Sequence, residues 1–94
     1  MKKQVWHIYI IRCKDNSLYT GVTIDIKRRF DEHQNDPKKG AKYLKGKKPL
    51  SLVWHKKIGS KQKAMQLEWK IKQLPKHKKE LIVQKKLSIN KLFN

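Results

Sequence analysis

Cysteine is almost missing from this chain. Cys13 is the only one, so an internal disulfide or a cysteine-built zinc site is excluded, and a reducing compartment is the expected setting. No apolar run approaches the ~20 residues that a membrane-spanning helix needs, and the N-terminal residues lack the apolar block of a signal peptide. The expected location is therefore the bacterial type of cytoplasm, nucleoid-associated or free, with no membrane partner. Acidic residues are also scarce: seven Asp and Glu stand against 25 Lys and Arg, a net charge of +18. Such a balance opposes compaction by self-repulsion unless a polyanion neutralises it, and nucleic acid is the expected counterpart. A lysine-rich composition alone would make only a solvated surface, but this excess in so short a domain goes beyond what solubility requires. There is no internal repeat and no long linker.

What is present suits one small packed domain. Ninety-four residues bury roughly 60 to 65% of the unfolded chain's surface and cannot build two independent cores. Hydrophobic residues make up 37% of the chain and include three Trp, so wholesale disorder is excluded. The expectation is a single domain over residues 1–94, with a core from about 4 to 87 and a weakly ordered C-terminal tail.

Val5 to Cys13 and Leu18 to Thr23 are rich in β-branched and aromatic residues and read as two strands joined by a turn. A three-residue loop, Lys14 to Asn16 with Asn16 left-handed, sets Cys13 opposite Ser17 and puts Tyr9, Ile11, Tyr19 and Gly21 on one face. A two-residue loop would send the tyrosines to opposite faces. Asp25 is a good N-cap for a helix over about Ile26 to Gln34, with Ile26, Arg29, Phe30 and His33 on one stripe. Asn35 to Pro49, with two Pro, two Gly and six Lys around Tyr43, reads as a mobile basic flap, and Lys38, Lys39, Lys42, Tyr43, Lys45, Lys47 and Lys48 are its candidate nucleic-acid contacts. Leu50 to His55 reads as a third strand in which Leu50, Leu52 and Trp54 alternate against Ser51, Val53 and His55. Ser60 caps a second helix to about Leu74, with Ala64, Leu67, Ile71 and Leu74 as its buried stripe. Pro75 ends that helix, and a third follows over about Lys76 to Lys86.

Glu68 sits inside the apolar stripe of the second helix. A carboxylate there is costly unless it is paired or binds a cation. Two readings stand open: a salt bridge with Arg29 or a neighbouring lysine, or a ligand for a hard divalent ion, Mg²⁺ or Mn²⁺, which takes one or two carboxylates and keeps several waters. Tyr9, Tyr19, Arg29 and His33 each have an ordinary structural reading when taken singly. Taken with Glu68, two phenols, a guanidinium, an imidazole and one carboxylate make a kit for cutting a phosphodiester.

With HIY at 7–9, YTG at 19–21, Arg29 and His33 on the first helix and Glu68 on the second, the chain resembles the GIY-YIG nuclease superfamily over about residues 4 to 83. The GAKY stretch at 40–43, Pro49 before the third strand and the E-x-x-I-K pattern from Glu68 to Lys72 resemble its small single-domain bacterial branch. The resemblance implies an α+β fold, a three-stranded antiparallel sheet flanked by about three helices. It also implies a metal-dependent endonuclease site in which Tyr9 and Tyr19 orient or deprotonate the attacking water. Arg29 would stabilise charge on the phosphoryl group, Glu68 would hold the metal, and His33 would help polarise or position the water. Two positions depart from the pattern: His7 replaces the first Gly, and Thr20 replaces the middle Ile. Larger members carry separate domains for choosing substrates, so recognition here is expected to follow backbone and shape, DNA more than RNA, with a protein partner as another source of specificity and DNA repair as one setting. The alternatives are a non-catalytic basic nucleic-acid-binding protein of the same fold, and an assembly factor docking on a ribonucleoprotein.

Overall fold

The computed structural model describes residues 4–90. Its elements are β1 (Trp6–Arg12), β2 (Leu18–Thr23), α1 (Ile26–Asn35), a 3₁₀ turn (Lys42–Leu44), β3 (Ser51–Gly59), α2 (Lys61–Gln73) and α3 (Lys76–Val83). The strands form one antiparallel sheet in the order β2-β1-β3, so β1 is central and the architecture is the expected α+β.

The β1–β2 turn sets the register on which the rest depends. Cys13 N–H donates to Ser17 O at 2.9 Å and Asn16 N–H donates to Cys13 O at 2.9 Å. Asn16 takes φ 70°, a left-handed conformation that Asn tolerates better than most residues. Asp15 stiffens the loop by accepting from the Ser17 amide and hydroxyl. The loop therefore holds three residues, Tyr9 pairs with Gly21, and Ile11 pairs with Tyr19. Alternation then sorts the side chains. Ile8, Ile10 and Leu18 meet Leu67, Ile71 and Ile82 from α2 and α3 on one face. On the other, Tyr9, Ile11 and Cys13 meet Leu44 and Leu50, with Phe30 of α1 packed against them.

The helices begin and end where their local chemistry requires. The Asp25 carboxylate accepts from Arg28 N–H at 3.0 Å, and the Ser60 hydroxyl accepts from Lys63 N–H at 3.2 Å. Pro75, which has no amide hydrogen, separates α2 from α3. Arg12, at the end of β1, closes a two-pronged bridge on Glu80 of α3, with N–O distances of 2.8 and 2.6 Å. That contact pins α3 to the sheet.

Four expectations need correction. The third strand runs to Gly59 rather than His55, and it contains a bulge: Ile10 pairs with Trp54 while Ile11 pairs with Leu52. The extra residue moves Trp54 to the α2–α3 face, so Leu52 and Trp54 do not share a side. The segment 35–49 is not a loose flap, because Leu44 is 1% exposed and packs with Tyr9 and Ile11. Next, α3 stops at Val83 rather than Lys86, since Lys85 turns left-handed at φ 62° while its amide bonds Ile82 O and the Lys86 amide bonds Leu81 O. Finally, Ile89 is buried in the α2–α3 core, so the core extends past residue 87. The last four residues of the expected tail, 91–94, lie outside the described residues.

Candidate active site

Tyr9 is the hub. Its ring is buried on the α1 face of the sheet, with its phenol end over its cross-strand neighbour, Gly21. A Cβ built on Gly21 would lie 2.5 Å from Tyr9 Cζ, so only a residue without a side chain fits beneath the ring. The requirement is one of space and not of backbone angle.

His33 reaches Tyr9 from α1, with Nε2 and Oη 2.8 Å apart. The direction of that bond follows from the other ring nitrogen. Ala41 N–H donates to Nδ1 at 3.2 Å, so Nδ1 is the unprotonated nitrogen and Nε2–H donates to the phenol oxygen. Burial, followed by the charge of Arg29, pulls the His33 pKa down to about 4, with Glu32 opposing. The imidazole is thus neutral at pH 7, and both of its nitrogens are committed to protein partners.

Tyr19 completes the aromatic cluster. Ring centroids lie 6.5 Å apart for Tyr9–Tyr19, 6.0 Å for Tyr9–His33 and 5.6 Å for Tyr19–His33. Burial and the neighbouring Tyr19 raise the Tyr9 pKa, while Arg29 works in the opposite direction. Burial likewise raises that of Tyr19, with Arg29 opposing and the Glu68 carboxylate adding to the rise. Arg29 emerges half-buried at the edge of this cluster, as its place on the apolar stripe predicts. Its Nη1 donates to Glu32 Oε1 at 3.0 Å and to Lys39 O at 2.7 Å. Those bonds fix the guanidinium beside the phenols.

Glu68 arrives from the other side of the sheet, because α2 packs through Leu67 and Ile71 on the face opposite Tyr9. Its charge nonetheless acts on both phenols, so the site straddles the open edge at β2. Lys72, one helical turn on, places Nζ 3.7 Å from Glu68 Oε2 and 5.7 Å from the Tyr19 ring centroid. The salt-bridge reading of Glu68 is therefore met by Lys72. Arg29 pairs with Glu32 instead.

The basic segment is anchored around this site. Lys38 and Lys39 lend their amides to the Asp36 carboxylate, and Lys42, Lys45 and Lys48 are exposed. Lys47 turns inward, with Nζ 3.6 Å from the Tyr43 ring centroid and 3.6 Å from Asp15 Oδ2. Tyr43 stacks on Tyr19 at 5.8 Å. Its ring thus has two partners, Tyr19 and Lys47, while Tyr43 itself stays 47% exposed. Glu32 and Lys72 were not named as site residues from sequence, although Lys72 closes the E-x-x-I-K pattern there, and neither was the Ala41 amide. Helical spacing could have found the first two, at i+3 from Arg29 and i+4 from Glu68, whereas no sequence signal marks the amide.

The family model for the GIY-YIG catalytic domain matches residues 5–81. The chain belongs to the GIY-YIG family. UPF0213 proteins of two bacteria are close in sequence: one from Cronobacter sakazakii is 51% identical over 83% of this chain and 80% of its own, and one from Vibrio campbellii is 54% identical over 87% and 77%. The solution NMR structure of a UPF0213 protein from Bacillus halodurans superimposes with a TM-score of 0.56 at 43% identity, covering 87% of this chain and 85% of that one. Both departures from the GIY-YIG triplets are accommodated in the sheet. His7 is half-buried in register between Thr23 and Lys57, and Thr20 points to the α2–α3 core, away from the Tyr9 face. Among the described residues no helix is long and apolar enough to cross a membrane.

Proposed function

We propose that this GIY-YIG domain is a divalent-metal-dependent endonuclease that hydrolyses phosphodiester bonds in nucleic acid, DNA more than RNA, by backbone and shape. The observation that carries the reading is the gathering of Tyr9, Tyr19 and His33, with ring centroids 5.6 to 6.5 Å apart, between the charges of Arg29 and Glu68. In hydrolysis a water oxygen bonds to phosphorus, the ester P–O bond breaks, and the proton lost by the water is balanced by one gained at the leaving oxygen.

Tyr9, held protonated at neutral pH by burial, grips and orients the attacking water. His33 acts through Tyr9: its N–H fixes the phenol oxygen, and it is a positioning residue rather than a group that touches the water. Tyr19 borders the same water. Arg29, with Nη1 anchored, offers its remaining N–H groups to the phosphoryl oxygens as negative charge builds there. Glu68 is a hard oxygen donor, and since no cluster of three or more His, Cys, Asp or Glu forms among the described residues, Mg²⁺ or Mn²⁺ would complete its shell with water and substrate oxygens. When bound, that ion supplies positive charge beside the phenols and the leaving oxygen.

The second reading, a non-catalytic nucleic-acid-binding protein, draws on the Lys72–Glu68 ion pair, which occupies the carboxylate at 3.7 Å. Incubation with supercoiled plasmid, branched DNA and single-stranded RNA plus Mg²⁺ or Mn²⁺ separates the two. The endonuclease reading expects cleavage that falls at least about 100-fold in Glu68→Gln and Arg29→Ala. Salt-sensitive binding with no metal-dependent cleavage of any of the three substrates would replace it with the second reading.

A further inference from the structure

One cleft shares Tyr19 with the proposed reaction centre and extends away from it, past the groups the chemistry above uses. It encloses about 320 Å³ and is lined by Leu18, Tyr19, Thr20, Tyr43, Lys72 and Lys79. Edge strand β2 supplies three of these residues, Tyr43 comes from the basic segment, and the two lysines come one from α2 and one from α3. No acidic residue belongs to the lining.

Three features define what such a cleft takes. Ammonium groups from two different helices line the same concavity, where low-dielectric walls focus their field on an anion. The stacked Tyr19 and Tyr43 rings, tilted by 26°, form an aromatic wall that Lys47 braces. Lys72 joins the cleft to the reaction centre, because its ammonium lies between the Tyr19 ring and the Glu68 carboxylate. An anion with a flat, partly apolar body fits all three, and the volume suits one nucleotide rather than a duplex.

We propose that this cleft seats a nucleotide flanking the scissile phosphate, with its phosphate between Lys72 and Lys79 and its sugar and base edge against Tyr19 and Tyr43. This seat rests on the nucleic-acid reading above but needs no turnover. A phosphate entering it competes with Glu68 for Lys72, so an occupied seat releases the carboxylate.

The test is binding in EDTA. NMR titration of the intact protein with 5′-phosphorylated dithymidine is expected to give saturable shifts at Tyr19, Tyr43 and Lys79. Lys79→Gln is expected to weaken that binding about fivefold and to lower the salt slope for a dodecathymidine strand by about 1. Lys78→Gln, an exposed lysine of α3 outside the lining, is the control and should change affinity less than about twofold. Equal losses in the two variants, or shifts confined to residues 38–48, overturn the seat. Because this binding is measured without metal, a protein that binds this way but fails to cleave any substrate in the separate assay with Mg²⁺ or Mn²⁺ sinks the endonuclease reading and leaves the seat standing.

Discussion

His33 should make the fold sensitive to mild acid, and the size of the effect can be worked out. Protonating the folded ring would set an N–H at Nδ1 against the Ala41 N–H, a donor facing a donor, inside a site where the residue is 4% exposed and a guanidinium is close. The folded protein therefore resists the proton until about pH 4, whereas the unfolded chain accepts it near its ordinary value of 6.5. The folded pKa of this base is depressed, so between those values the unfolded state binds more protons, and stability rises with pH. The contribution is present above pH 6.5 and is lost as pH falls toward 4. Between pH 7 and pH 5 the linkage integral amounts to about 2 kcal/mol. Urea unfolding at both pH values would measure it, comparing the wild type with His33→Gln, which keeps an N–H for Tyr9 but does not titrate. The variant should lose about 2 kcal/mol less than the wild type over that interval. Parallel losses in the two proteins would show that His33 does not hold the depressed pKa, and the tautomer argument would fall with it.

Two further substitutions probe neighbouring features. Thr20 is 2% exposed and its hydroxyl has no hydrogen-bond partner among the described residues, so Thr20→Val should stabilise the protein by about 1 kcal/mol and raise Tm by about 4–8 °C in calorimetry. An unchanged or lowered Tm would mean that the hydroxyl is satisfied. Gly21→Ala drives a methyl group into the Tyr9 ring and should cost about 1–3 kcal/mol in urea unfolding. It should also remove the Tyr9–His33 contact, visible as a shift of the His33 ring signals by NMR; an undisturbed His33 spectrum would refute the packing argument.

What could be read from sequence was local. Asn16 fixed the loop length, the loop length fixed the register, and the register put Tyr9 and Tyr19 on one face, each step following from the conformational taste of one residue. Asp25, Ser60 and Pro75 marked helix ends in the same way. The five site residues could be nominated because the triplets and the helical spacings are short-range patterns. What stayed hidden depends on partners far along the chain. The bulge near Val53 answers to Ile10 and Ile11, more than forty residues earlier, and the burial of Leu44 answers to Tyr9 and Ile11. A lysine-rich segment with one leucine gives no local hint that the leucine anchors it. Lys72 was legible as an i+4 partner of Glu68, but its approach to the Tyr19 ring needs the packing of α2 against β2.

The placement of Glu68 on the far layer of the sheet has a consequence for how the molecule comes into being. A growing polypeptide that has emerged only as far as residue 60 already possesses both phenols, the guanidinium and the imidazole, but lacks the acid. The cutting proposed above therefore needs the later helix to have been synthesised and docked, because the acid comes from α2 while the other four groups come from β1, β2 and α1.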